Sequence, residues 1–401
     1  MKSIIKKLLI EPNEIRLNES YVRIRSGESK TLYLFLKSII RYIFTFRKII
    51  KSNLAYRKSE VCFFTSTKNQ DHSTHELKNM FTDYVHIKSD DNSCQFYYPW
   101  VVTVVVSFLF FPVSFLFYFF YFGFGKIRLL SYSLDEFIRT PGYIASSCLI
   151  LIRVKPKFLI MSNDHNTINR ALCVVSKFMG LKTIYIQHSP VNDLFPRMIF
   201  DYAFVDGLES EKIYRASGAS EVTYIKLGAL RYASIYGLKK IERSVESVLI
   251  CVNKLDKLEV LGKYINELEA AGIHYKIRLH PAMKEHGFYN IELRPLEICL
   301  SEYKYVLAGD SGVILDSVVS GSISLYAKDM SMGSDIYGYV RNNVAESIDY
   351  KSIVSLIMEG NLCAHSQLEN CEIYDSSCQI LDSVELFNKY KAEFDNLLGG
   401  K

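Results

Sequence analysis

Two short polar strings, Arg278-Leu279-His280-Pro281 and Gly309-Asp310-Ser311-Gly312, hold residue types that bind phosphate. The Asp310-Ser311-Gly312 turn stands directly before a helical run, Val313 to Ser320. It therefore offers free backbone N–H groups, a hydroxyl and the positive end of a helix dipole to an anion. Arg278 and His280 lie two apart at the end of an apolar-alternating run, and add charge and donors to the same anion. Asn253 ends another strand-like run and suits a phosphate or sugar contact; Asp316, inside the helical run, suits a ribose hydroxyl. An earlier group suits proton transfer. His188, in Tyr185-Ile186-Gln187-His188-Ser189-Pro190-Val191, follows a strand-like run and precedes a Pro-stopped loop. A neutral imidazole near pH 7 can take a proton from an attacking hydroxyl. Asp164, in Ser162-Asn163-Asp164-His165, and Asp206, before Gly207, are rival bases that equally fit loop or helix caps. No Asp-x-Asp pair follows a strand, and Asp71, His72, His75 and Glu76 read as a surface helix start, so no metal site is expected.

The elements that must position these residues alternate. Val61 to Phe64 reads as a buried strand and Thr74 to Phe81 as a helix. From Ser133 onward the rhythm is strand and helix: strands at 157–161, 182–186, 202–205 and 222–227, with helices at 169–179 and 209–216. A charged stretch, Lys239 to Ser247, reads as a linker. After it come strands at 248–252, 273–279, 305–308 and 323–326, and helices at 255–271, 313–320, 346–358 and 383–398. This alternation predicts an α/β protein with two doubly wound, parallel-sheet domains, 1–238 and 248–401. A length of 401 residues gives each domain enough chain for its own core. Both polar strings, and His188, Asp164 and Asp206, then stand at strand carboxyl ends, the edge where open parallel sheets bind ligands.

The first 130 residues differ from the rest. Thr31 to Lys51 repeats apolar residues at helical spacing, carries only positive charge, and predicts an amphipathic helix for an anionic membrane interface. Phe96 to Gly125 has no charged residue and is long enough to span a bilayer core. Pro99 and Pro112 interrupt it, and lysine or arginine lies on both flanks, which favours insertion without crossing. The net charge of +5 is concentrated in the first 60 residues and does not suggest nucleic acid. Nine scattered cysteines read as reduced core thiols of a cytosolic protein, and Met1 to Ile10 lacks the features of a secretory signal.

The Arg-x-His-Pro strand end, the Asp-Ser-Gly-x-x-x-Asp helix start and the Gln187-His188 run resemble bacterial GT-B transferases that build surface polysaccharides. The closest groups are the sialyltransferases and polysialyltransferases that use CMP-sugars, and the CDP-glycerol polymer transferases. The resemblance covers roughly residues 155–330, and Gly312 stands where those families carry a second Ser. It implies two Rossmann-like domains facing a cleft, with the nucleotide-sugar donor, CMP-linked, on the carboxyl-terminal one. Arg278, His280, Pro281, Asp310, Ser311, Gly312, Asp316 and Asn253 would serve that donor, with no cofactor besides it. His188, Asp164 or Asp206 would serve a glycan or lipid-linked glycan acceptor, with the protein at the cytoplasmic face of an anionic inner membrane. The rival readings are a polyol-phosphate transferase, a sugar-nucleotide epimerase of the same build, and a non-catalytic membrane scaffold.

Overall fold

Apolar runs rich in β-branched and aromatic residues form two parallel sheets, buried along most of their length because helices cover both faces. The computed structural model describes residues 2–90, 95–241, 243, 247–254, 256–280, 283, 287–331, 335–380 and 382–399. The chain divides into two compact units. The first comprises Met1–His188, Asp193–Val205 and Glu211–Ile225; the second comprises Ser189–Asn192, Asp206–Ser210 and Lys226–Lys401.

The sheet of the first unit holds β1 (Val61–Thr65), β2 (Val85–Lys88), β3 (Phe96–Tyr97), β4 (Phe158–Met161), β5 (Lys182–Ile186), β6 (Tyr202–Val205) and β7 (Thr223–Lys226). Their order is β3-β2-β1-β4-β5-β6-β7, with β1 to β6 paired in parallel. The winding reverses between β1 and β4, so that edge is the topological switch point of the unit. The helix Thr167–Phe178 links β4 to β5 and is buried over most of its length.

A helical layer accompanies this sheet. The expected basic helix is present as Thr31–Phe44, continued by a 3-10 segment, Thr45–Lys51. The uncharged run is not one helix. It forms the short β3 and two helices, Trp100–Leu109 and Phe111–Phe122, bent by 69°. Pro112 opens the second of these at its first turn, where a missing N–H costs nothing. The chain then runs through a 28-residue helix, Ile127–Val154, where strand-helix alternation was expected. Three helices, 31–44, 100–109 and 111–122, pack on it. The core that 31–44 and 111–122 share with the long helix includes Tyr42, Tyr118, Phe122, Leu134 and Phe137, with the Tyr118 and Phe137 rings stacked at 4.4 Å.

The second unit holds β8 (Val248–Val252), β9 (Tyr275–Leu279), β10 (Tyr305–Ala308), β11 (Ile323–Ala327) and β12 (Glu346–Ile348), in the order β12-β11-β10-β8-β9. Here the reversal lies between β8 and β10. The expected helix 346–358 is in fact β12 followed by the helix Ile353–Glu359. The last helix, Ser383–Gly399, buries Leu386, Tyr390 and Phe394, and the Tyr390 hydroxyl donates to the Gly228 carbonyl at 2.8 Å. Within the charged stretch 239–247, Arg243 donates to the Leu300 and Ser320 carbonyls at 2.8 and 2.7 Å.

Candidate functional site

In the second unit, three neighbouring strands deliver the candidate donor residues to one edge. β8 is followed by Asn253, β9 by His280 and β10 by Gly309-Asp310-Ser311. Asn253 Nδ2 donates to the Asp310 carbonyl at 3.2 Å, tying the two strand ends across the switch point. Gly309 is closely approached there: a Cβ would stand 2.6 Å from Ser331 Oγ and 2.9 Å from Asp256 Oδ1, so any side chain would displace them. The Ser311 hydroxyl lies 3.4 Å from the Val313 amide at the start of the helix Val313–Ser320. The first amides of that helix turn back on the loop before it, Ile314 N–H donating to the Ser311 carbonyl at 3.2 Å and Leu315 N–H to the Gly312 carbonyl at 3.0 Å, while the helix dipole still points its positive end at the turn. His280 is exposed, with its backbone N–H on the Val252 carbonyl at 2.9 Å. Partial burial and the charge of Lys254 hold its ring below the ordinary value of 6.5, so it is mainly neutral at pH 7. Lys254 is exposed and follows Asn253, and no spacing in the sequence set it apart from the other lysines.

Several expected donor residues have other occupations. The Arg278 guanidinium donates to the Arg294 carbonyl and shares its strand face with half-buried Lys276. It braces the sheet edge, because strand parity turns it toward the segment after β9. Asp310 is a brace as well: its Oδ1 accepts from the Tyr326 hydroxyl at 3.0 Å and the Ile336 amide at 3.1 Å. Asp316 is half-buried. Burial pushes its carboxyl up to about 6, against the pull of Arg231 and a hydrogen bond from Tyr232. Pro281 lies outside the described residues.

Asp206, expected as a rival base, is 3% exposed and held by both terminal nitrogens of Arg231, Nη1 at 3.0 Å. Burial still pushes it up to about 6, with Arg231 opposing. A carboxylate so enclosed cannot reach an acceptor hydroxyl. Arg231, Tyr232 and the two acids form a buried network that strand-end reasoning could not find, since its members lie on separate elements.

In the first unit the second candidate group gathers after β4 and β5. Asp164 is fully buried, and both its oxygens are taken. Oδ1 lies 3.1 Å from His165 Nδ1, and Oδ2 accepts from the Tyr214 hydroxyl at 2.7 Å. Burial alone would raise this carboxyl, but the bonds and charge of His165, Tyr214 and His188 hold it below the ordinary value. The geometry makes Asp164 an orienting acid, not a base with its own access. The His165 ring is partly exposed and stacks on the His188 ring, with centroids 6.1 Å apart; Phe195 meets it edge-on at 5.1 Å. Beneath them the fully buried Arg170 donates to the Asp164 carbonyl at 2.9 Å and pairs with Glu14. The part of His165 was signalled in the sequence only by its adjacency to Asp164. An Asp–His pair beside a second stacked imidazole is an arrangement able to accept and hold a proton. Among the described residues no three His, Cys, Asp or Glu side chains converge to hold a metal ion.

No family model and no curated protein matches the chain. Solved structures do. A UDP-N-acetylglucosamine 2-epimerase matches with TM-score 0.52 at 11% identity, over 86% of this chain and 98% of its own. CalG4, the calicheamicin glycosyltransferase, matches with TM-score 0.51 at 8% identity, over 85% of this chain and 100% of its own. The UDP-GlcNAc 2-epimerase of Neisseria meningitidis, solved with UDP-GlcNAc bound, matches with TM-score 0.50 at 13% identity, over 85% and 100%. These likenesses bear out the expected fold: two Rossmann-like domains with parallel sheets, of the GT-B type.

Proposed function

We propose that the chain is a GT-B glycosyltransferase that moves a sugar from a nucleotide donor onto a growing bacterial surface polysaccharide. The observation that carries this reading is the convergence at one edge of the second sheet. There the switch point gathers Asn253, Lys254, His280, Ser311 and the amino end of the helix Val313–Ser320. Such an edge suits a nucleotide phosphate. The neutral His280 ring donates a hydrogen bond to the leaving phosphate, Lys254 supplies charge, and Ser311 and the positive helix end hold the remaining oxygens. In the first unit His188 or His165 takes the acceptor's proton, and Asp164 stabilises the imidazolium that forms. Transfer proceeds without a metal, with these donors at the leaving group. The donor is CMP-linked and carries a nonulosonic acid, a choice that rests on the His280-Pro281 and Ser311 strings. The enzyme works at the cytoplasmic face of the inner membrane, supported by the exposed apolar residues of its helical layer, Leu32, Ile43, Phe108 and Phe120 among them.

A second reading is favoured by the fold likeness to the epimerases: a sugar-nucleotide epimerase needing no acceptor. A thermal-shift panel of CMP, CDP, UDP and GDP, followed by turnover assays, separates the readings. A ligand that binds only the folded state raises apparent stability as RT ln(1 + [L]/Kd). CMP is expected to give the largest shift, with CMP release depending on a glycan acceptor. Acceptor-independent conversion of UDP-GlcNAc would favour the epimerase, CMP release from CDP-glycerol would favour a polyol-phosphate transferase, and no shift with any nucleotide would favour the scaffold.

A further inference from the structure

The helical layer of the first unit encloses a cavity of about 370 Å³ in which four cations, Arg16, Arg41, Lys48 and Arg139, face two acids, Asp135 and Glu136. This volume is within the roughly 300–1,000 Å³ of small-molecule sites. The acids are already engaged. Asp135 holds Arg41 at 2.8 Å and also Arg139, and Glu136 holds Arg139 at 3.3 Å. Lys48 pairs with Asp90 at the surface. Arg16 lies 5.8 and 6.0 Å from the ring centres of Tyr21 and Tyr132 and is drawn by the charges of Glu136 and Asp135 without an ion pair of its own among the described residues, so cations outnumber acids around the cavity. Three donors on residues that line the cavity, Arg16 Nε, Arg41 Nε and Ser133 Oγ, are buried behind its wall with no hydrogen-bond partner among the described residues. Ser133 is only 1% exposed. Buried donors are rarely left unmade, because each costs its full desolvation. A surplus cation and three unmade donors around one cavity describe a site for an oxyanion.

The position of the cavity says which oxyanion. Arg41, Phe44 and Lys48 follow one another at spacings of three and four along the segment 31–51. They occupy a flank between its buried face, Leu34, Ser38, Tyr42 and Thr45, and its exposed apolar face, Leu36, Ile40 and Ile43. That outer face is unusual for a protein in water; Ile43 is 58% exposed and Ile50 89%. A ligand with its anion among the arginines would pass over Phe44 onto this apolar face. We infer that the cavity takes the phosphate group of a membrane lipid whose chains lie along the exposed face of Thr31–Phe44. Charge at the mouth and apolar surface beside it match the two halves of an anionic lipid. This inference rests on the membrane-docking part of the proposed function and is independent of the transfer reaction.

The test uses the full-length protein and two probes. The first is sedimentation with vesicles of phosphatidylcholine alone or mixed with phosphatidylglycerol, at fixed ionic strength. The second is calorimetry with short-chain phosphatidylglycerol below its micellar concentration, beside inorganic phosphate and diphosphate. Arg16→Gln removes the surplus cation, Ser133→Val fills the cavity from the other side, and Ile43→Glu alters only the outer face. The expected result is that Arg16→Gln and Ser133→Val each weaken short-chain lipid binding by roughly tenfold and abolish the preference for phosphatidylglycerol vesicles. Ile43→Glu should weaken sedimentation with both vesicle types. Wild-type affinity for the short-chain lipid in both cavity variants would overturn the inference, as would free phosphate or diphosphate binding as tightly as the lipid. Binding of the short-chain lipid without vesicle binding supports the cavity and overturns the docking surface. Binding of neither overturns both.

Discussion

A carboxylate shut away from water and held by two donors has little to do except orient them, and Asp164 is in that position. Its partners, His165 Nδ1 and the Tyr214 hydroxyl, need acceptors on both oxygens. Asp164→Asn keeps the shape but turns one acceptor into a donor. A loss of about 1–3 kcal/mol at pH 7 is expected. The sign of its pH dependence follows from the lowered carboxyl. The wild-type advantage is fully present above the unfolded carboxylate value of about 3.9 and is lost as pH falls through the lower folded value. Denaturant titrations of both proteins at several acidic pH values should show the gap closing; a gap of constant size would reject this account. For the donor edge, His280→Ala should lower turnover at least roughly tenfold with the fold unchanged, and full activity would remove His280 from the site. The strand-end residues His188, Asn253, His280 and Ser311 were legible because each follows an apolar run that could only be a strand. The parts played by Lys254, His165 and Arg231 were not, since each depends on a partner that only the folded chain supplies. Arg278 shows the opposite limit: its type was right for a phosphate, but the carbonyl it meets belongs to a segment sixteen residues away.

At the scale of elements, β1 and the strands from β4 to β11 were legible almost to the residue, while β2 and β3 were not foreseen. β5, β6, β8 and β10 have the bounds their apolar runs predict, because burial on both faces leaves little room for polar residues. β12 escaped because it is short and partly exposed, and its Glu-Ser-Ile carries no apolar run. The helix Ile127–Val154 escaped for another reason: it buries Asp135 and Arg139 as a pair and carries Pro141 inside, so its periodicity is broken by residues that its partners satisfy. Its closest approach to Trp100–Leu109 is at Gly142. A Cβ there would stand 2.2 Å from the Thr103 carbonyl oxygen and 2.4 Å from Ser107 Oγ. Thr103 and Ser146 hydroxyls join at 2.7 Å beside it, so the two helices meet through small polar residues instead of interlocking apolar ones. Gly142→Ala should force these helices apart and cost about 1–3 kcal/mol, as overpacking does. Chemical denaturation gives the number; a change within about 0.5 kcal/mol, as at ordinary surface sites, would mean the approach is not close.

For the whole molecule, the proposed membrane docking raises the question of which side each part would occupy, and the first sheet constrains the answer. β1 precedes the uncharged helices and β4 follows them, yet Val61 to Phe64 pair with Phe158 to Met161 in parallel register. Both ends of the intervening segment therefore lie on one side, and a single crossing is impossible. Two crossings would need 100–122 as one limb and Ile127–Val154, the one described helix long and apolar enough to span alone, as the other. The first limb is bent by 69°. The second buries Asp135 against Arg41 and Arg139 and packs on the helix carrying Arg41, which would drag charges into the bilayer core at about 2.5–3.5 kcal/mol each or more. We therefore expect no crossing, with the exposed faces of 31–51 and 100–122 lying in the interface of one leaflet. A protease site inserted after Gly125, with tags at both chain ends, tests this in sealed vesicles of each orientation. All three positions should be cut from the same side. Tags on opposite sides would refute the sheet pairing, and protection of the Gly125 site alone would show a hairpin that crosses twice.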